Sequence, residues 1–163
     1  MKKPSYLRMA GEIAIAILAC EAAGIVGSLF TASAIPTWYT TLTRPELSPP
    51  NWVFGPVWTT LFALMGVSVW LIWRRGTKNP DVRVALGMFA FQLMVNVLWS
   101  LAFFGLHSPG AALAVIFLLW LAIAMTIVLF AKFSKPAAWL LLPYLGWVSF
   151  ATYLNYAFWI LNS

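Results

Sequence analysis

The chain reads as an all-α integral membrane protein, a bundle of five transmembrane helices with a Pro/Trp-rich lid loop between the first two. Three observations carry that reading. Of its 163 residues, 63% are hydrophobic and 9% charged, where soluble domains run near 45–50% and about 25%. Five segments are apolar over at least the roughly 20 residues that a helix needs to cross a hydrocarbon core of about 30 Å. The basic residues gather on one side of those crossings.

The first segment, 9–30, is interrupted only by Glu12 and Glu21. The second, 52–73, is uncharged, and the third, 84–106, has Gln92, Asn96 and Ser100 as its polar side chains. The fourth, 110–131, is again uncharged, and the fifth, 136–161, carries scattered Ser, Thr, Tyr and Asn. No alternating pattern of about ten residues marks a barrel strand, and backbone groups in lipid demand helix or closed barrel. No repeat or linker divides residues 1–163, so they read as a single domain.

With five crossings, Lys2, Lys3, Arg8, Arg74, Arg75, Lys78, Arg83, Lys132 and Lys135 fall on one side, leaving Arg44 alone of the ten on the other. The chain reads as a multi-pass protein of a prokaryotic cell membrane, and the positive-inside rule places its N-terminus in the cytoplasm and its C-terminus outside. The net charge of +6 is accounted for without nucleic acid. The basic start, the apolar run and Ala32-Ser33-Ala34 imitate a cleaved signal, but the run is too long for a signal core and carries Glu21, so it reads as a retained helix. Trp52, Trp73 and Trp139 sit at segment ends, where interfacial rings belong. Cys20 has no second cysteine to pair with.

The stretch 31–51 is the one long connection, and a loop of that length is usually functional. Its Pro36, Pro45, Pro49 and Pro50 stiffen it, and Trp38 and Tyr39 can rest on the bundle with their polar ends in water. Three helices carry stripes of rings and amides at helical spacing. They are Trp58, Phe62, Met65 and Val69; then Gln92, Asn96, Trp99 and Phe103; then Tyr144, Trp147, Ala151 and Asn155. Two readings stand. The stripes are plain packing, with each amide bonding a neighbouring helix, or they converge on an aromatic cavity suited to a flat apolar ligand.

Glu21 is a carboxylate deep in a span, a functional candidate by default, but with no second titratable group for a proton relay it reads first as structural, neutral or paired with an amide or Tyr hydroxyl. Small residues Ala16, Cys20, Gly24 and Ser28 on the same helix allow close helix contact, within the bundle or in a dimer. His107 precedes Ser108-Pro109-Gly110 and marks a turn. No catalytic pair, metal-ligand cluster or phosphate loop is visible, and no motif requires a cofactor.

Trp38–Gly66 ("WYTTLTRPELSPPNWVFGPVWTTLFALMG"), Gln92–Gly105 ("QLMVNVLWSLAFFG") and Leu140–Trp159 ("LLLPYLGWVSFATYLNYAFW") together resemble the translocator protein family, also called tryptophan-rich sensory protein or peripheral-type benzodiazepine receptor. The resemblance spans nearly the whole chain. It implies a five-helix bundle, often a homodimer in membrane lipid, that binds porphyrins, haem, sterols and isoquinoline-carboxamide or benzodiazepine drugs. It implies a pocket of Trp38, Tyr39, Trp58, Phe62, Asn96, Trp99, Trp147, Ala151 and Asn155, to which the helical stripe adds Phe103.

What the resemblance implies is a receptor or carrier for tetrapyrroles, in transport or stress sensing. Light-dependent porphyrin breakdown by pocket tryptophans and a membrane scaffold with incidental binding are the alternatives. The chain departs from the family at Glu46 and Leu47, where a lid tryptophan is usual, and after Tyr153 and Tyr156, where the base of the sterol pattern is missing. Glu21 matches no family signature.

Overall fold

The computed structural model describes residues 6–163, so Lys2 and Lys3 lie outside the described residues. Among the described residues, five helical spans of 29, 23, 26, 23 and 27 residues are long and apolar enough to cross a membrane. They are α1 (Tyr6–Ala34), α2 (Asn51–Trp73), α3 (Pro80–Ser100) with its continuation through Leu101–Gly105, α4 (Pro109–Ala131), and a fifth span made of α5 (Lys135–Leu140) and α6 (Leu142–Leu161). No strand occurs among the described residues, and the five-span all-α architecture expected from the sequence is what the chain adopts.

The turns follow from local chemistry. Asn79 accepts from the Asp81 backbone N–H at 2.9 Å to open α3, with Pro80 in its first turn. Ser108 does the same for Ala111 in α4, and Ser134 for Ala137 in α5, both at 3.3 Å and both followed by proline. Such caps satisfy donors that the first helical turn leaves free. Gly76, at φ +96°, supplies the left-handed residue in the α2–α3 turn.

Besides earlier starts of α1 at Tyr6 and α3 at Pro80, three boundaries differ from those the hydropathy pattern gives. α1 runs to Ala34 rather than Phe30, because nothing in Thr31–Ala34 breaks a helix until Pro36 disfavours the helical region for Ile35. The fifth span is broken at Leu141, since Pro143 has no N–H for the carbonyl of Trp139 and its ring crowds that group. α3 ends in a wider, π-type turn over Leu101–Gly105, with Leu106 N–H bonded to Leu101 O at 2.8 Å.

The core lies between α2, α3, α4 and the fifth span. Met65, Ile72, Ala85, Phe130 and Tyr144 have no exposed surface, and the Phe89 and Phe130 rings stack 5.8 Å apart. Ser68 ties α2 to α5 by donating to Ala137 O at 2.7 Å. On α1, Cys20 is buried and Gly24 meets the Phe62 ring of α2, so these two members of the small-residue stripe make contacts inside the bundle, while Ser28 is exposed. Ile15, Leu18 and Leu29 point outward instead. Trp52 and Trp139 are 75% and 64% exposed at span ends, as suits interfacial rings.

The tightest helix contact is between α1 and α2. A Cβ on Gly66 would stand 2.5 Å from Ile17 Cα and 2.7 Å from its N, and backbone cannot retreat as a flexible side chain can. Gly66→Ala should therefore destabilise the bundle by about 1–3 kcal/mol. Gly87→Ala, where a Cβ meets nothing within 4 Å, should be neutral or stabilising by up to about 1 kcal/mol. Thermal unfolding of both variants in the same detergent checks the contrast, and equal melting temperatures would contradict it.

Candidate functional site

A cavity of about 540 Å³ opens at the lid end of the bundle, between α1, α2, α3 and α6. Nine of the ten residues expected from the sequence line it: Tyr39 from the lid, Trp58 and Phe62 from α2, Asn96, Trp99 and Phe103 from α3 and its π turn, and Trp147, Ala151 and Asn155 from α6. Trp38 does not. Its indole lies flat on His107, centroids 4.6 Å apart and planes 17° from parallel, and meets the edge of Phe103 at 5.7 Å. It fastens the lid to the α3–α4 turn, where His107 holds the left-handed φ of 52°.

The stripes divide along their length. Away from the lid, Met65, Gln92 and Tyr144 are buried in the core, with the Gln92 amide against Met65 Sδ at 3.9 Å. Toward the lid, the same helix faces separate and line the cavity. The transition lies where Asn96 donates to Tyr144 Oη at 2.8 Å, with the Trp58 ring edge-on to Tyr144 at 6.3 Å.

The three amides at the cavity are all engaged: Asn51 accepts from Arg44 and Asn96 donates to Tyr144. Asn155 accepts from Trp99 Nε1 at 3.0 Å and donates to Pro109 O at 2.7 Å, joining α3, α4 and α6 through one side chain. The unengaged polar groups are different ones. Trp147 Nε1 is buried with no partner among the described residues, although buried indole N–H groups ordinarily find one. Glu21 also reaches the cavity, from α1.

Sequence reasoning missed several lining residues. Phe54 and Phe158 extend the α2 and α6 stripes by one turn, so the same spacing could have found them. Phe104 could not be found that way. In a regular helix it would diverge from Phe103 by about 100°, and the π turn brings both onto the cavity, their rings 4.8 Å apart.

The lid is tied down at further points. Tyr39 is buried against Phe158 and Phe104 at 5.3 and 5.9 Å, with the Arg44 guanidinium 5.3 Å from its ring. Arg44 also donates to Ser48 Oγ, Pro49 O and Asn51 Oδ1 at 3.0–3.3 Å. At the chain's far end, Asn162 accepts from Thr43 N–H at 2.8 Å and donates to Thr43 O at 3.1 Å.

Comparison with known proteins agrees with this architecture. The TspO/MBR family profile matches residues 16–160. The tryptophan-rich protein TspO of Chlorobaculum tepidum is 48% identical over 150 residues, 92% of this chain and 95% of that one. The protein of the same name from Archaeoglobus fulgidus is 46% identical over 93% of this chain and 97% of its own. The chain belongs to the TspO/MBR family. The translocator protein of Homo sapiens, 42% identical over 82% of this chain and 80% of its own, extends the TspO/MBR likeness to an animal relative. Membership and five apolar spans together make this TspO/MBR chain an integral membrane protein.

Two outcomes follow from the geometry. Asn155→Ala leaves Trp99 Nε1 and Pro109 O unpaired and should cost about 1–3 kcal/mol, seen as a lower melting temperature in detergent; an unchanged melt would deny the strut. Asn162→Ala should raise amide hydrogen exchange across residues 38–48 while leaving α4 unchanged, and equal protection in both proteins would show that the latch holds nothing.

Proposed function

We propose that the protein is a membrane receptor or carrier that reversibly binds a tetrapyrrole such as porphyrin or haem, or another flat apolar molecule, in the cavity beneath its lid. One observation carries the reading: a single cavity beneath the lid that nine aromatic residues line, from the lid, α2, α3 with its π turn, and α6. The volume of about 540 Å³ falls within the roughly 300–1,000 Å³ of small-molecule sites. The rings of Trp58, Phe62, Trp99 and Phe103 offer faces and edges to a planar guest. Ala151, between Trp147 and Asn155, leaves room where a larger side chain would fill the space.

In this reading the end bearing Arg74, Arg75, Lys78, Arg83, Lys132 and Lys135 faces the cytoplasm and the lid faces outward, following the positive-inside rule. The ligand then meets the outer half of the bundle.

Protoporphyrin added to the protein in lipid nanodiscs should quench tryptophan emission saturably, because Trp58, Trp99 and Trp147 line the cavity. The folded triple variant Trp58→Ala, Asn96→Ala, Trp147→Ala should lose about tenfold or more in affinity. Unchanged affinity would defeat the proposal. Under illumination the porphyrin Soret band should stay constant; a loss that requires the folded protein would instead support photodegradation by the cavity tryptophans.

A further inference from the structure

We propose that Glu21 is the charge-recognising group of this cavity and selects flat aromatic ligands that carry a basic nitrogen over those that carry carboxylates. The inference rests on the binding reading above and adds a ligand class to it.

Glu21, Gly24, Ile25, Ser28, Thr31 and Ala32 form the cavity face of α1 with Gly27 beside them, and Ile35 follows just past the helix end; the six recur at intervals of three or four residues or adjacent, as one helical face requires. Glu21 is the member farthest from the lid. No other Asp, Glu, Lys, Arg or His is among the described residues that line the cavity, so nothing there offsets its charge. Its carboxylate takes part in no hydrogen bond or ion pair among the described residues, unlike Glu12 on the same helix. Glu12 pairs with Arg8 at 3.0 Å and accepts from Trp70 Nε1 at 3.4 Å. A structural strut would look like Glu12; Glu21 has the geometry of a group left open.

An acid held among apolar groups gains most when a cation or N–H donor arrives to share its site. Phe62 edges into the notch above Gly24, its ring carbons 2.5–3.2 Å from where a Cβ would stand, so an aromatic ring lies one turn from the carboxylate. A planar guest whose basic nitrogen meets Glu21 would lay its ring system against Phe62 and the other cavity rings.

The test compares one ring system in three charge forms: protoporphyrin as its free dicarboxylate, as its dimethyl ester, and as its bis-dimethylaminoethyl amide. Each is titrated against the full-length chain and Glu21→Gln in nanodiscs of neutral lipid, with melting temperatures recorded for both proteins. The wild type should bind the amine form tightest. In Glu21→Gln the amine form should lose about tenfold, the ester should hold its affinity, and the dicarboxylate should gain. A merely structural Glu21 would move the melting temperature and all three affinities together. Ester binding with an unchanged amine-to-ester ratio in Glu21→Gln would overturn this inference alone. Failure of the ester to bind either protein would overturn the binding reading and this inference with it.

Discussion

The bundle depends on the absence of a side chain at Gly66. There α1 and α2 meet backbone to backbone, with Ile17 lying where a Cβ would be. One turn nearer the lid, the space above Gly24 is filled by the edge of Phe62. Beyond that both helices turn their faces to the cavity, α1 through Ser28 and Ala32, α2 through Gly55 and Thr59. Close contact at one end and separation at the other give a wedge, and the cavity is the open end of the wedge. A bulkier pivot would shift both walls at once, because packed cores relocate rather than compress.

Polar side chains inside the bundle divide into those that build and those that wait. Asn96 with Tyr144, Asn155 with Trp99 and Pro109, Ser68 with Ala137, and Trp120 with Ser149 each join two or more spans. In lipid the hydrophobic effect does not hold helices together, so such bonds and close packing must. The family-implied amides therefore act as frame even where they border the cavity. Glu21 stands outside that frame, on the cavity face of α1.

Much of this was legible in the sequence because lipid imposes simple rules. Length and hydropathy locate the spans, and ring-and-amide spacing locates three of the faces that converge. Misreadings arose where one local feature overrides periodicity. Pro143 divides a run whose hydropathy is continuous, and α1 continues through Thr31–Ala34 because no breaker stands there. The π turn adds a residue to one turn and so hides Phe104 from any helical wheel. Trp38 has the composition of a cavity ring but stacks on His107 instead, a long-range choice that no local pattern encodes. Asn162 went unnoticed for the same reason: its partner, Thr43, is 119 residues away.

The order in which the lid acquires its partners has a consequence for biogenesis. The lid follows the first span, yet Trp38 rests on His107, Tyr39 on Phe104 and Phe158, and Thr43 on Asn162. Every one of those anchors is translated later, His107 and Phe104 with the third span, Phe158 and Asn162 only with the fifth. The roof of the chamber therefore cannot gain its full set of fastenings until the fifth span has been made.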